Sequence, residues 1–110
     1  MSKTIVQVNF EYHMTSAEYE ALTEQAAQPI ALVEGLGWKI FLVNEETQEA
    51  GGLYLFESAA AAEAYLQGPI ITELSQHPGI KNIRIKLFNI QETITAVTRG
   101  PVGRPALFRS

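Results

Sequence analysis

The sequence predicts an α+β fold in which a four-stranded antiparallel sheet carries helices on one face. Three observations lead there. Lys3 to Tyr12 alternates apolar and polar residues with period two, Trp38–Val43 and Glu49–Phe56 are apolar runs on either side of a polar turn, and two stretches of helical spacing each follow a capping residue.

In the first strand Val6, Val8, Phe10 and Tyr12 share one side, and Ile5, Gln7, Asn9 and Glu11 share the other. Thr15-Ser16-Ala17-Glu18 has the form of a capping box, so a helix begins there, with Tyr19, Leu22, Ala26, Ile30 and Val33 as its apolar stripe. Pro29 lacks the amide that would bond back to residue 25, which predicts a kink or an end at that point, and Gly35 and Gly37 supply a stop. The hairpin follows, turning through Asn44-Glu45-Glu46-Thr47-Gln48. Ser58 caps an alanine-rich helix that Gly68-Pro69 breaks, with Ile70, Ile71 and Leu74 continuing to Gln76. After the turn His77-Pro78-Gly79, Ile80–Ile90 reads as the last strand, with Ile83, Ile85 and Leu87 opposite Asn82, Arg84, Lys86 and Phe88; Gln91–Thr98 can add a helical turn. Strand, helix, strand, strand, helix, strand is the βαββαβ order of the ferredoxin-like fold.

A chain of 110 residues makes one domain, read as a body over 1–98 and a basic Gly/Pro-rich tail over 99–110. The net charge is −4, and all twelve acidic residues are glutamates. Nothing in that balance favours nucleic acid, which calls for clustered basic residues. Arg99, Arg104 and Arg109 stand in the tail without an acid, so the tail is expected to meet its own body or a partner subunit. The absence of cysteine removes disulfides, thiolate nucleophiles and thiolate metal sites. The N-terminus lacks the apolar core of a signal peptide, and no apolar run approaches the ~20 residues of a membrane helix, so a cytoplasmic protein with no membrane partner is expected.

Pairing Asn44 with Glu49 sets Ile40 opposite Leu53, Trp38 opposite Leu55, Phe41 opposite Gly52 and Lys39 opposite Tyr54. Trp38, Ile40, Leu42, Leu53 and Leu55 then form one side of the hairpin, read as the side under the helices. Lys39, Phe41, Val43, Tyr54 and Phe56 form the other, read as joining Gln7, Asn9, Arg84, Lys86 and Phe88 on an open face. A slip or a bulge at Gly51-Gly52 would exchange the two. That open face holds more aromatic area than a small monomer leaves wet, so a two-fold homodimer, stacked sheet to sheet around a cavity, is expected.

At this hairpin the sequence resembles the YdhR family of small mono-oxygenases, members of the dimeric α/β-barrel superfamily. The residues that carry the resemblance are Gly37-Trp38-Lys39, Glu49-Ala50-Gly51-Gly52-Leu53-Tyr54-Leu55-Phe56 and Ala64-Tyr65-Leu66, within a match over roughly residues 4–95. The resemblance implies a homodimer through the open sheet faces and oxygenation of an aromatic or polyphenolic small molecule without a cofactor. In that chemistry the deprotonated substrate itself donates an electron to dioxygen, and the protein supplies a dry pocket and a few polar groups. A non-catalytic small-molecule-binding or stress-associated dimer and a muconolactone-type isomerase are the other readings.

The candidate catalytic residues are Asn9, Trp38, Tyr54 and Arg84, with Phe41 and Phe88 as substrate-binding walls. Trp38 either walls the pocket or packs under the helices. Tyr54 is a hydroxyl donor or a packing residue. Asn9 and Gln7 bind a phenolate or pair with each other's kind across the dimer, and Arg84 and Lys86 stabilise an oxyanion or meet Glu11 or Glu49. Lys39 beside Tyr54 either lowers the phenol's pKa or stands as a surface ammonium. Some haem-degrading relatives place a ligating histidine on the second helix, which draws His77 into view; its Pro-Gly context favours a capping or solvent role. His13 and His77 alone make no metal site, and no metal or cofactor is expected.

Overall fold

The computed structural model describes residues 3–103. Strands β1 (Thr4–Tyr12), β2 (Leu36–Asn44), β3 (Glu49–Phe56) and β4 (Ile80–Asn89) form one antiparallel sheet in the spatial order β2-β3-β1-β4. Helices α1 (Ser16–Ala31), α2 (Ala59–Leu66) and α3 (Pro69–Gln76) lie between strands in sequence, and α4 (Glu92–Val97) follows β4. This is the ferredoxin-like order, its second helix delivered in two pieces. No helix among the described residues is long and apolar enough to cross a membrane.

Local chemistry accounts for the helix ends. The Glu18 amide donates to Thr15 Oγ1 at 3.1 Å and the Thr15 amide donates to the Glu18 carboxylate at 3.0 Å, which completes the capping box and holds that carboxyl below its usual range. Pro29 does not break α1, because it falls in the last turn. Only the bond to the Gln25 carbonyl is lost, and the amides of Leu32 and Val33 close the helix on the carbonyls of Pro29 and Ile30. Ser58 Oγ accepts from the Ala61 amide at 3.1 Å to open α2, and Pro69 opens α3 at a position where a missing amide costs nothing.

The hairpin has the register expected of it, with Asn44 opposite Glu49, Ile40 opposite Leu53 and Lys39 opposite Tyr54. Asn44 Oδ1 takes the amides of Glu46 and Thr47 to hold the turn. The bulge lies between Leu36 and Trp38 and not at Gly51-Gly52.

The assignment of faces is nevertheless the reverse of the sequence reading. Val6 pairs with Tyr54 and Gln7 with Leu53, so Tyr54 shares a side with the apolar row of β1, while Leu53 and Leu55 share a side with Gln7 and Asn9. Lys39, Phe41, Tyr54 and Phe56 therefore face the helices. Trp38, Ile40, Leu42, Leu53 and Leu55 lie on the open face, in cross-strand rows with Ile5, Gln7, Asn9, Arg84, Lys86 and Phe88. The hairpin alone has two self-consistent sides; its contact with β1 decides between them.

The core sits between sheet and helices, built from Val6, Val8, Phe10, Tyr12, Tyr54 and Phe56 against Tyr19 and Ile30 of α1 and Ala62 and Tyr65 of α2. Aromatic rings dominate it: Tyr12 stacks on Tyr19 with centroids 4.5 Å apart, and Tyr65 lies 5.0 Å from Tyr54 and 5.5 Å from Phe56. On the other face Leu55 is also fully buried. Its cross-strand neighbour Trp38 donates its indole N–H to the Pro101 carbonyl at 3.0 Å, and Val102 is buried beside it in sequence, so the segment after α4 folds back over this end of the open face. Of the tail expected over 99–110, residues 99–103 make this return, and Arg104 and Arg109 lie outside the described residues.

Gly51 lies opposite Asn9 in the β1–β3 ladder. Its φ is +156°, and a Cβ there would overlap the Val8 carbonyl oxygen. Gly51→Ala should therefore cost about 1–3 kcal/mol, the range of a forced backbone shift in a packed core, read as a fall in the urea midpoint at unchanged m. A loss below about 0.5 kcal/mol would mean that β1 and β3 are not held at this separation.

Candidate functional site

Between α1, α3 and the helix-facing side of β1–β3 lies a cavity of about 340 Å³. That is near the lower end of the roughly 300–1,000 Å³ usual for small-molecule sites. Leu22 and Ala26 of α1 and Ile70 and Leu74 of α3 form apolar walls, and Phe41, Lys39 and Tyr54 line it from the sheet. Side-chain size keeps it open. Gly52 stands opposite Phe41 in the ladder, and a Cβ at Gly52 would lie 2.6 Å from Lys39 Cε, so the lysine stem runs across the space that this glycine leaves.

Lys39 is the cation lining this cavity. Its Nζ lies 3.9 Å from the centre of the Phe41 ring and 4.6 Å from that of Tyr54, over the electron-rich faces of both. Among the described residues no carboxylate pairs with it. Burial disfavours the charged form, and the amine is pulled down from 10.5 to about 8.

The phenols respond in the opposite direction. The Tyr65 hydroxyl bonds to the Tyr54 hydroxyl at 3.0 Å, out of solvent, and both line the cavity. Burial first, then the mutual charge repulsion of Tyr54 with Tyr65, raises Tyr54; burial raises Tyr65, and it carries Tyr19, also in the wall, up to about 12. All three are protonated at neutral pH. The sequence reading in which Lys39 lowers the Tyr54 phenol is corrected: the ammonium stands over the ring and burial outweighs its field. Two hydroxyls share one hydrogen bond, so one O–H proton remains to be donated into the cavity.

His77 caps the end of α3 and borders the same cavity. The Gly79 amide donates to His77 Nδ1 at 2.9 Å, so in the neutral ring Nε2 carries the proton. A metal-ligating histidine has the reverse arrangement, donating from one nitrogen so that the other keeps its lone pair for the metal. His77 as held here does not fit a haem iron; it offers a donor.

The six residues singled out from sequence are divided by the sheet. Tyr54 and Phe41 line the cavity. Asn9, Arg84, Trp38 and Phe88 lie on the open face, where Asn9 Oδ1 accepts from Gln7 Nε2 at 2.8 Å, Arg84 lies 3.8 Å from the Glu49 carboxylate and Trp38 holds Pro101. Tyr19, Tyr65 and His77 join the cavity without having been placed there from sequence. A signal for the first two existed: every tyrosine falls on the apolar row of β1, on the core stripe of α1 or α2, or beside them.

The family model described as "Putative mono-oxygenase ydhR" matches residues 5–101 of the chain. Among solved structures, SnoaB, a cofactor-independent oxygenase from Streptomyces nogalater, is similar with a TM-score of 0.69 at 16% identity over 86% of this chain and 98% of that one. A protein of unknown function from Nitrosomonas europaea is similar with a TM-score of 0.62 at 20% identity, covering 83% of this chain and 91% of that one. The heme-degrader MhuD from Mycobacterium tuberculosis, solved with two hemes in its active site, has a TM-score of 0.54 at 18% identity, over 79% and 95% of the two chains. No curated protein matches the sequence. At these identities the structures share a fold with this chain.

The half-buried Lys39 amine has a thermodynamic signature. A lysine lowered on folding releases its proton first in the folded state, so between about 8 and 10.5 the unfolded chain holds the extra proton and stability gains as pH rises. Below about 8 the folded protein bears the whole cost of the buried charge. Lys39→Met should therefore be more stable than the parent at pH 7 by roughly 1–3 kcal/mol, with the difference shrinking as pH rises through that window. Urea titrations of both proteins across the range measure it, and a difference independent of pH would place the amine in solvent.

Proposed function

The chain belongs to the ydhR mono-oxygenase family, and from that premise we propose that it oxygenates a small aromatic molecule bound in the helix-side cavity. The observation that carries this reading is the pairing of apolar, aromatic walls with one free phenolic proton and one amine in the same cavity. A largely apolar site of this kind suits an oxygenation in which the substrate supplies the electrons, and SnoaB, similar in fold, is a cofactor-independent oxygenase. A benzylic or ring CH2 acidified by a neighbouring carbonyl loses one proton to water, and the carbanion passes one electron to dioxygen. Recombination forms the C–O bond, the peroxide anion takes up a proton, and the hydroperoxide loses water together with the second hydrogen of that carbon to leave a carbonyl. One oxygen atom enters the product and the other leaves as water, with the substrate as the only reductant. The Tyr54–Tyr65 pair is suited to donate to the oxygen on which charge collects, and the walls exclude water from the carbanion.

The open face belongs to a second copy of the chain in this reading. Ile40, Leu42 and Phe88 are 48%, 37% and 49% exposed on one face of one sheet, an apolar surface that stacking sheet on sheet would cover. Trp38, Asn9, Arg84 and Phe88 then serve the interface and the C-terminal return, outside the reaction.

Oxygen uptake with anthrones, quinols and catechols, without added metal or flavin, tests the chemistry. The expected result is a product carrying one atom from labelled dioxygen. Saturable binding of an unchanged ligand would favour the non-catalytic reading, and turnover without oxygen the isomerase. Tyr54→Phe should lower turnover about ten- to a hundredfold while costing about 1 kcal/mol of stability. Trp38→Phe should leave turnover within about twofold of the parent, the scale of a change that touches no reacting group; a loss as large as that of Tyr54→Phe would return Trp38 to the site. Sedimentation should give a dimer at micromolar concentration, and a clean monomer would remove the second copy.

A further inference from the structure

We propose that Lys39 is an anion-binding group, and that the cavity therefore selects an apolar, aromatic molecule carrying one acidic group, a phenol, an enol or a carboxylic acid, whose conjugate base seats at Nζ. The inference rests on the helix-side cavity being the ligand site and narrows the class of molecule that it takes.

The geometry poses a charge problem that the protein does not solve by itself. Lys39 lies along the sheet under α1 and α3, its amine beside ring faces, with no carboxylate partner among the described residues. Ring faces compensate an ammonium only in part, and a half-buried cation without a counter-charge is destabilising. The ionisable groups bordering the cavity from the packed elements are Tyr19 of α1, Tyr54 of β3, Tyr65 of α2, and Glu73 and His77 at α3. The phenols are protonated, His77 Nε2 is a donor in the neutral ring, and Glu73 is exposed. The cavity thus holds donors and a cation and lacks a buried anion. A ligand that brings one satisfies the amine and accepts from the free tyrosine proton at the same time.

The amine's downward shift gives the same ion pair two routes. A ligand arriving ionised meets the ammonium; one arriving neutral hands its proton to the free amine. By linkage, the ligand that prefers the protonated lysine must raise that lysine's pKa, one unit for each tenfold of preference.

The test compares 2-naphthoate with 2-naphthamide, which share ring system and shape and differ in charge. Calorimetric titration of the full chain at pH 7 should show naphthoate at least tenfold tighter. NMR titration of the Lys39 side chain should show its pKa rising by at least one unit with naphthoate and not with naphthamide. Lys39→Met should abolish the preference, and Lys39→Gln serves the same comparison should the methionine alter packing. Equal affinities, a preference that survives both substitutions, or no binding of naphthoate at millimolar concentration would each overturn the proposal. Oxygen uptake with a neutral anthrone separates this outcome from the enzymatic reading. Turnover of that anthrone by the parent together with equal affinities for naphthoate and naphthamide removes the anion site and leaves the oxygenase; a naphthoate preference in the parent without uptake on any substrate does the converse.

Discussion

The contact that the rest of the molecule depends on is the pairing of β1 with β3, with Val6 opposite Tyr54. Because side chains alternate along a strand, that one match sends Tyr54 and Phe56 toward the helices, and their partners Lys39 and Phe41 with them. It also commits Trp38, Ile40 and Leu42 to the opposite side. Gly51 is what lets the two strands approach, and Gly52 lets the lysine stem lie flat under the helices. A pairing shifted by one residue would put the aliphatic side of the hairpin under the helices and turn Tyr54 and Phe56 outward.

The cavity is a place where stability is given up. Filling it with side chains would strengthen the core, and removing the buried ammonium would relieve a desolvation cost. The protein instead keeps a gap between α1 and α3 and aims an amine along it. Stability sacrificed in one confined place, inside an otherwise aromatic and well-packed core, is the usual mark of a site. The same economy governs α1: Pro29 falls where a lost hydrogen bond costs least, and Pro29 and Gln25, the residue whose carbonyl loses that bond, both border the cavity.

Most of the architecture is legible in the chain. The capping box at Thr15, the Ser58 cap, the break at Gly68-Pro69 and the alternation of β1 each rest on chemistry within a few residues, and each element stands where that chemistry puts it. The hairpin register follows from its turn. The site was legible only in part, since which side of the hairpin meets the helices depends on β1, some forty residues away in the chain. Residue type misleads there as well. A lysine in a strand reads as solvent-facing and an all-aliphatic side as core, whereas here the lysine's polar head has a cavity to enter and the aliphatic side forms a surface. Tyr54 and Phe41 were chosen for their chemistry and do meet at the cavity; Asn9 and Arg84 were chosen for theirs and meet each other across the ladder, on the far side.

The division of aromatic residues between the two sides has an optical consequence. The four tyrosines, Tyr12, Tyr19, Tyr54 and Tyr65, all belong to the helix-side core, and the one tryptophan stands on the other side of the sheet. Indole emission therefore reads the open face and the docking of the C-terminal return, while tyrosine absorbance reads the helix-side core, where Tyr19, Tyr54 and Tyr65 line the cavity. With excitation beyond the tyrosine band, an event at the cavity and an event at the opposite surface are therefore read through different residues of the unmodified protein.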